Sequence, residues 1–160
     1  MSLPTSVPNK EKILDGLCGK INTANILLND IPCKSLIDTG STVSTMSKTF
    51  YESLMNVPLH SIGNILQIEA ATGHTLPYAG YVECDIKINE LNITDTFGLF
   101  LVVPDTGFNK PVPVIIGTNL LRVLTPNFAL SNQNPWRMAF QCLAMHDRQL
   151  TRYDGRLAKN

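Results

Sequence analysis

Between Ile65 and Val103 apolar and polar residues alternate, and turn chemistry breaks the alternation twice, at Ala71-Thr72-Gly73-His74 and at Asn89-Glu90-Leu91-Asn92. A period of two suits a pleated strand with one buried face, because successive side chains leave opposite faces. The pattern predicts three long strands here and constrains the chain to a mostly β fold. Similar signals lie on either side. Lys20 to Leu28 and Pro32 to Ile37 read as a hairpin around the turn pair Asn29-Asp30, and Val43 to Met46 reads as another short strand. Ser47 is placed to cap a short helix that Pro58 ends. Pro104 to Pro113, with three prolines and a glycine, is a surface loop. Val114-Ile115-Ile116 is a fully apolar strand, and Gly117-Thr118-Asn119 leads from it into a short helix over Leu120 to Leu124.

Both ends differ from this middle. Residues 1 to 17 contain two prolines and no sustained period, which predicts an extended arm. Beyond Pro126 the chain turns polar until Asn134-Pro135, a cap followed by a first-turn proline; Trp136, Phe140 and Leu143 then recur at helical spacing. The expected organisation is an arm (1–17), a core domain (18–125) and a partly helical C-terminal extension (126–160).

Composition excludes several classes. Thirteen basic residues balance thirteen acidic ones, so nothing electrostatic points to nucleic acid or an anionic membrane. Hydrophobic residues are 44% and charged residues 16%, enough apolar material for one compact core. No apolar run approaches the roughly 20 residues that span a bilayer, and no basic-then-apolar leader opens the chain, so the expectation is a soluble, intracellular, cytoplasmic protein. Cys18, Cys33, Cys84 and Cys142 are widely spaced without a C-x-x-C pair, which favours buried free thiols over a metal or redox site.

Asp38-Thr39-Gly40 follows the apolar pair Leu36-Ile37, so a buried strand ends by presenting a carboxylate at a glycine-containing turn. Alone, the tripeptide is an ordinary turn. Downstream, Val114-Ile115-Ile116-Gly117 followed by Leu120-Leu121 supplies a second matched segment.

With these residues in view, the sequence resembles the retropepsin family, the aspartic proteases of retroviruses and LTR retrotransposons, and most closely those of gypsy-like elements. The resemblance covers roughly Gly19 to Leu124. It rests on Leu36-Ile37-Asp38-Thr39-Gly40-Ser41, on a flap-like hairpin around Ala71 to His74, and on Ile115-Ile116-Gly117 before Leu120-Leu121. It implies a small closed β-barrel-like protomer with a short helix after its last core strand. It also implies a two-fold homodimer that hydrolyses an extended polypeptide, here a retroelement polyprotein, without cofactor or metal. Asp38, Thr39 and Gly40 are then the catalytic loop, and Ser41, Ala71, Thr72, Gly73, His74 and Ile116 the substrate-binding residues.

The chemistry gives a separate reason for a dimer. Aspartic proteolysis needs two carboxylates sharing a proton, one activating water and the other donating to the scissile carbonyl. Asp-Thr-Gly occurs twice, at Asp38-Thr39-Gly40 and at Asp105-Thr106-Gly107, but the second lies inside the proline-rich surface loop Pro104 to Pro113; only Asp38 is read as catalytic, so the second carboxylate is expected from another copy. Thr39 is read as tying the two loops together through its hydroxyl, and Gly40 as making room for the substrate backbone. Ser41 has two readings: its hydroxyl donates toward the catalytic carboxylate, or it caps the turn through its own backbone. Many retroviral enzymes carry an acid shortly after the motif and an arginine after the later glycine; this chain has Thr42-Val43 and Thr118 there, losing both ends of an ion pair. The extension could replace that contact in the dimer or pack on its own protomer. Two alternatives in function remain: a non-hydrolytic dimerisation or peptide-binding module, and the protease-like domain of cellular ubiquitin-shuttle proteins.

Overall fold

The computed structural model describes residues 9–19, 21–124 and 136–145. Six strands close into a barrel: β1 (Thr23–Leu28), β2 (Ile31–Ile37), β3 (Thr45–Ser47), β6 (Gly80–Ile88), β7 (Ile93–Val103) and β8 (Val114–Ile116). Around the barrel they run β1-β2-β8-β3-β7-β6. The remaining two, β4 (Ile68–Glu69) and β5 (Thr75–Leu76), form a separate hairpin.

β1 and β2 pair antiparallel from Thr23↔Leu36 to Leu28↔Ile31, leaving a two-residue turn. Its residues, Asn29 and Asp30, have φ of 48° and 64°. Such a turn needs left-handed backbone at both positions, which Asn and Asp tolerate better than other non-glycine residues. The turn also helps close the barrel. The Asn29 backbone N–H donates to the Asp85 carbonyl (2.9 Å) and its Oδ1 accepts from the Asp85 N–H (2.8 Å), beside the pairs Leu27↔Lys87 and Leu28↔Ile86. Inside, Leu28, Met46, Val82, Ile86, Phe100, Val114 and Ile116 fill the core, and Leu120, Leu121 and Leu124 of α3 (Thr118–Leu124) cover one end. A helix over residues 136–145 adds Trp136, Ala139, Phe140 and Leu143 to the same core. The expected C-terminal helix is present, packed on its own protomer; its proposed cap at Asn134-Pro135 lies outside the described residues.

Three expectations are corrected. Of the three strands predicted between Ile65 and Val103, only β6 and β7 are long. Gly63 turns the chain at φ 59°, Ile65 is 90% exposed, and Pro77 withdraws a donor straight after β5, so the hairpin strands stop at two residues each. The arm is not extended throughout: Lys10–Leu17 is helix α1, started by Asn9, whose side chain accepts from the Glu11 N–H at 3.0 Å. Good helix formers after that cap explain it, although no residue of α1 is buried. Only Cys33 and Cys84 are buried thiols; Cys18 and Cys142 are exposed. The short helix after Ser47 is α2 (Lys48–Ser53), and the Ser47 hydroxyl accepts from the Phe50 N–H at 3.2 Å as predicted. Among the described residues no helix is long and apolar enough to cross a membrane.

Candidate active site

The local topology places Asp38. β8 lies between β2, to which it is parallel, and β3, to which it is antiparallel. The chain leaving β2 therefore crosses the end of β8 before it returns as β3, and residues 38–44 form that crossing. Asp38 continues the parallel ladder, its N–H donating to the Ile116 carbonyl at 2.9 Å. Its carboxylate Oδ1 accepts from the Gly40 N–H at 2.9 Å, which fixes the side chain against its own loop.

Gly117 is where the crossing comes closest. A methyl group there would overlap the Val43 carbonyl oxygen, 2.6 Å from the Val43 carbonyl carbon and 2.8 Å from the Ser41 oxygen. Any side chain would push the loop off β8, which is why the apolar triplet has to end in glycine. The approach is bonded as well as tight: Thr118 N–H donates to the Ser41 carbonyl (2.8 Å) and Gly117 N–H to Ser44 Oγ (2.9 Å). Ser44, 1% exposed, donates in turn to Asn119 Oδ1 at 2.7 Å, and Asn119 Nδ2 donates to the Leu99 carbonyl at 3.3 Å. The two segments that lack an ion pair are thus joined by a neutral hydrogen-bond chain, which avoids the desolvation cost of buried charge.

Ser41 resolves one of the two readings above. Its hydroxyl donates to the Val43 carbonyl at 2.7 Å, so it closes the turn and is not directed at the Asp38 carboxylate.

Above the loop sits the β4–β5 hairpin. Ala70 N–H donates to the His74 carbonyl (2.8 Å), and Gly73, at φ 82°, donates to the Ala70 carbonyl (2.9 Å). The hairpin base is anchored by Gln67 Nε2 on Thr75 Oγ1 (3.0 Å), Tyr78 Oη on the Leu66 carbonyl (2.5 Å) and the His60–Tyr81 bridge. A cleft of about 500 Å³ lies between hairpin and loop. A second cavity of about 540 Å³ lies on the other side of the hairpin, and Ile68, Leu76 and Pro77 line both. A hairpin with space on either side and few anchors beyond its base is placed to move.

The cleft brings together Asp38, Gly40, Ser41 and Ala71 of the residues singled out in the sequence. Thr39 is not on its lining; its Oγ1 is met by Cys142 Sγ at 3.8 Å. Thr72, Gly73 and His74 form the exposed tip beyond the cleft wall. Ile116 is corrected. It is fully buried inside the barrel, and its strand neighbour Ile115 faces the cleft, because alternate residues of β8 point opposite ways.

Sequence reasoning missed Glu69 and one wall, formed by Val103, Pro104, Thr106 and Asn109. Asn109 pins that wall: Thr106 N–H donates to its Oδ1 (2.7 Å), its own N–H donates to Thr106 Oγ1 (3.1 Å), and its Nδ2 donates to the Pro104 carbonyl (2.9 Å). The reciprocal Thr-x-x-Asn spacing is a readable signal of an ordered loop. The next residue along, Asp105, accepts from both the N–H and the hydroxyl of Thr49, fastening the wall to α2. The Thr49 hydroxyl bond, then the Thr49 N–H, hold the Asp105 carboxyl below its ordinary pKa.

Neither a scan against protein-family models nor a comparison with curated proteins gives a match. Among solved structures, EIAV protease complexed with the inhibitor HBY-793 aligns at 23% identity over 66% of this chain and 88% of its own, with a TM-score of 0.52. The retroviral protease-like domain of Ddi1 from Leishmania major aligns at 16% identity over 66% of this chain and 74% of its own, TM-score 0.47. A retropepsin-like aspartic protease from Rickettsia conorii aligns at 14% identity over 63% and 68%, TM-score 0.38. The fold is that of the retropepsins, a closed six-stranded barrel with short helices.

Proposed function

We propose that this chain is one half of an aspartic endopeptidase, completed by a second copy. The carrying observation is Asp38, fixed by the end of β8 and by Gly40 N–H, on the floor of a cleft roofed by a two-stranded hairpin. Two such carboxylates across a two-fold axis share one proton. The ionised one takes a proton from water, which attacks the scissile carbonyl carbon, while the protonated one donates to the carbonyl oxygen. Proton transfer to the amide nitrogen then releases the two peptide fragments. Thr39, beside Asp38, is assigned to tie the two loops together through its hydroxyl, which in the protomer is met by Cys142 Sγ. The hairpin closes over the extended peptide and excludes water that would compete with these hydrogen bonds.

The cleft walls, Val43, Ile68, Leu76, Val103 and Ile115, favour large apolar side chains flanking the cut. A polyprotein with exposed, extended junctions offers such a substrate. The test is hydrolysis of a peptide library by the wild type and by Asp38→Asn, which keeps the shape of the side chain and removes its ionisable proton. Cleavage by the wild type, blocked by an aspartic-protease inhibitor and absent in the variant, supports the assignment; equal cleavage by Asp38→Asn refutes it.

A further inference from the structure

Among the described residues that line the cleft, Glu69 is the one titratable side chain beside Asp38, and none is lysine, arginine or histidine. Glu69 belongs to β4, on the hairpin that roofs the cleft, where it pairs with Thr75. Among the described residues the ion pairs are Lys48–Glu52, Lys87–Asp30 and Lys87–Asp85, so no described residue forms an ion pair with the Glu69 carboxylate. The other wall residues are apolar or neutral, and the charge balance of the whole chain is zero, so this negative character belongs to the cleft itself.

We infer that Glu69 selects substrates carrying a basic side chain near, but outside, the scissile pair, and rejects acidic ones there. The inference rests on the protease reading and names the substrate class of that site. Asp38 must face the scissile carbonyl, and Glu69 approaches from the opposite, roof side, so a separate substrate side chain meets it. When the hairpin closes, water leaves the cleft and the unmatched carboxylate loses hydration. A lysine or arginine of the peptide restores that loss as an ion pair, whereas a substrate aspartate or glutamate places like charges together in a drier space. In the two-fold assembly the feature occurs twice, once on each side of the cut, so a basic residue on either side suits it. If the discrimination arises as the hairpin closes, it acts on kcat/KM.

The experiment compares peptides identical except for Lys, Gln or Glu at each position outside the scissile pair, cleaved by the full chain at near-neutral pH. At the responsive position the wild type is expected to prefer Lys over Glu about 10-fold or more in kcat/KM, and salt should erode the preference. Glu69→Gln should abolish the preference while still cleaving the Gln peptide, and Glu69→Lys should invert it. Anisotropy of the same labelled peptides on Asp38→Asn reads the preference without catalysis. Cleavage with no charge preference, or with one that persists in Glu69→Gln, overturns the inference and leaves the protease reading intact. Absent cleavage with Lys-preferring, Glu69-dependent binding removes the protease reading but keeps the charge selection. Absent cleavage with charge-indifferent binding removes both.

Discussion

Gly117→Ala is the substitution with the most calculable outcome. The added methyl stands 2.6 Å from the Val43 carbonyl carbon, where ordinary carbon contacts are about 3.5 to 4.0 Å, so loop and strand must separate by about 1 Å. The obstacle is backbone, which cannot rotate away as a side chain does. Two hydrogen bonds are stretched by the same movement, Thr118 N–H to Ser41 O and Gly117 N–H to Ser44 Oγ, each contributing about 1 kcal/mol. Together with about 1 to 3 kcal/mol for overpacking, the expected loss is about 3 to 5 kcal/mol. A 1 Å displacement of the loop carrying Asp38 should also lower kcat/KM about 100-fold in whatever fraction remains folded.

Two other glycines calibrate this. At Gly98 a methyl meets only the side-chain ends of Ile86 and Leu120 at 2.6 Å, and at Gly107 it meets nothing within 4 Å. Urea unfolding should rank the losses Gly117→Ala first, Gly98→Ala second and Gly107→Ala near zero. Gly117→Ala with wild-type stability and activity would refute the reasoning that the loop must press on β8.

Other expectations concern separate parts of the molecule. Ser41→Ala removes one part-buried hydrogen bond and should cost about 1 kcal/mol while leaving the acidic limb of the kcat/KM pH profile in place; a shifted limb would show that the hydroxyl serves the carboxylate after all. Asp105 has a folded-state pKa below its ordinary value, so its contribution is complete above about pH 4 and disappears as pH falls through the lower folded value. The stability gap between wild type and Asp105→Asn, followed by urea midpoints from pH 7 downward, should therefore close in acid; a gap that widens there contradicts the Thr49 bonds as its source. Burial pushes the Cys33 and Cys84 thiols up to about 11, so at pH 8 an alkylating reagent should label Cys18 and Cys142 quickly and the buried pair only on unfolding. Trp136→Ala should cost about 3 to 5 kcal/mol, since Trp136 is fully buried and stacked on Phe140 at 6.3 Å; a neutral result would detach the C-terminal helix from the core.

Much of this architecture was legible because it depends on local chemistry. Alternation marked β6 and β7, Asn29-Asp30 marked the hairpin, Ser47 marked the start of α2, and the spacing of Trp136, Phe140 and Leu143 marked a buried helical face. The alternation around Ile65 misled because periodicity does not report the turn at Gly63 or the donor missing at Pro77. Asp38 and Gly117 were readable as a pair, but the reason for their pairing, a loop crossing the end of β8, depends on strand order and emerges only in three dimensions. Ile115 and Ile116 could not be told apart in an all-apolar triplet, where neither face carries a polar mark. Glu69 and the Asn109 wall converge on Asp38 from segments about 30 and 70 residues downstream, a convergence no local pattern encodes.

The central claim is that one active site needs two copies of Asp38, and mixing measures it directly. Wild-type chain at fixed concentration is titrated with Asp38→Asn chain, allowed to exchange, and assayed for peptide hydrolysis. Mixed dimers hold one ionisable carboxylate and one amide, so activity should fall progressively toward zero as the variant comes into excess, following the statistical loss of wild-type pairs. Activity that stays at the wild-type level under a large excess of Asp38→Asn, with exchange verified by sedimentation of labelled chains, would contradict the account.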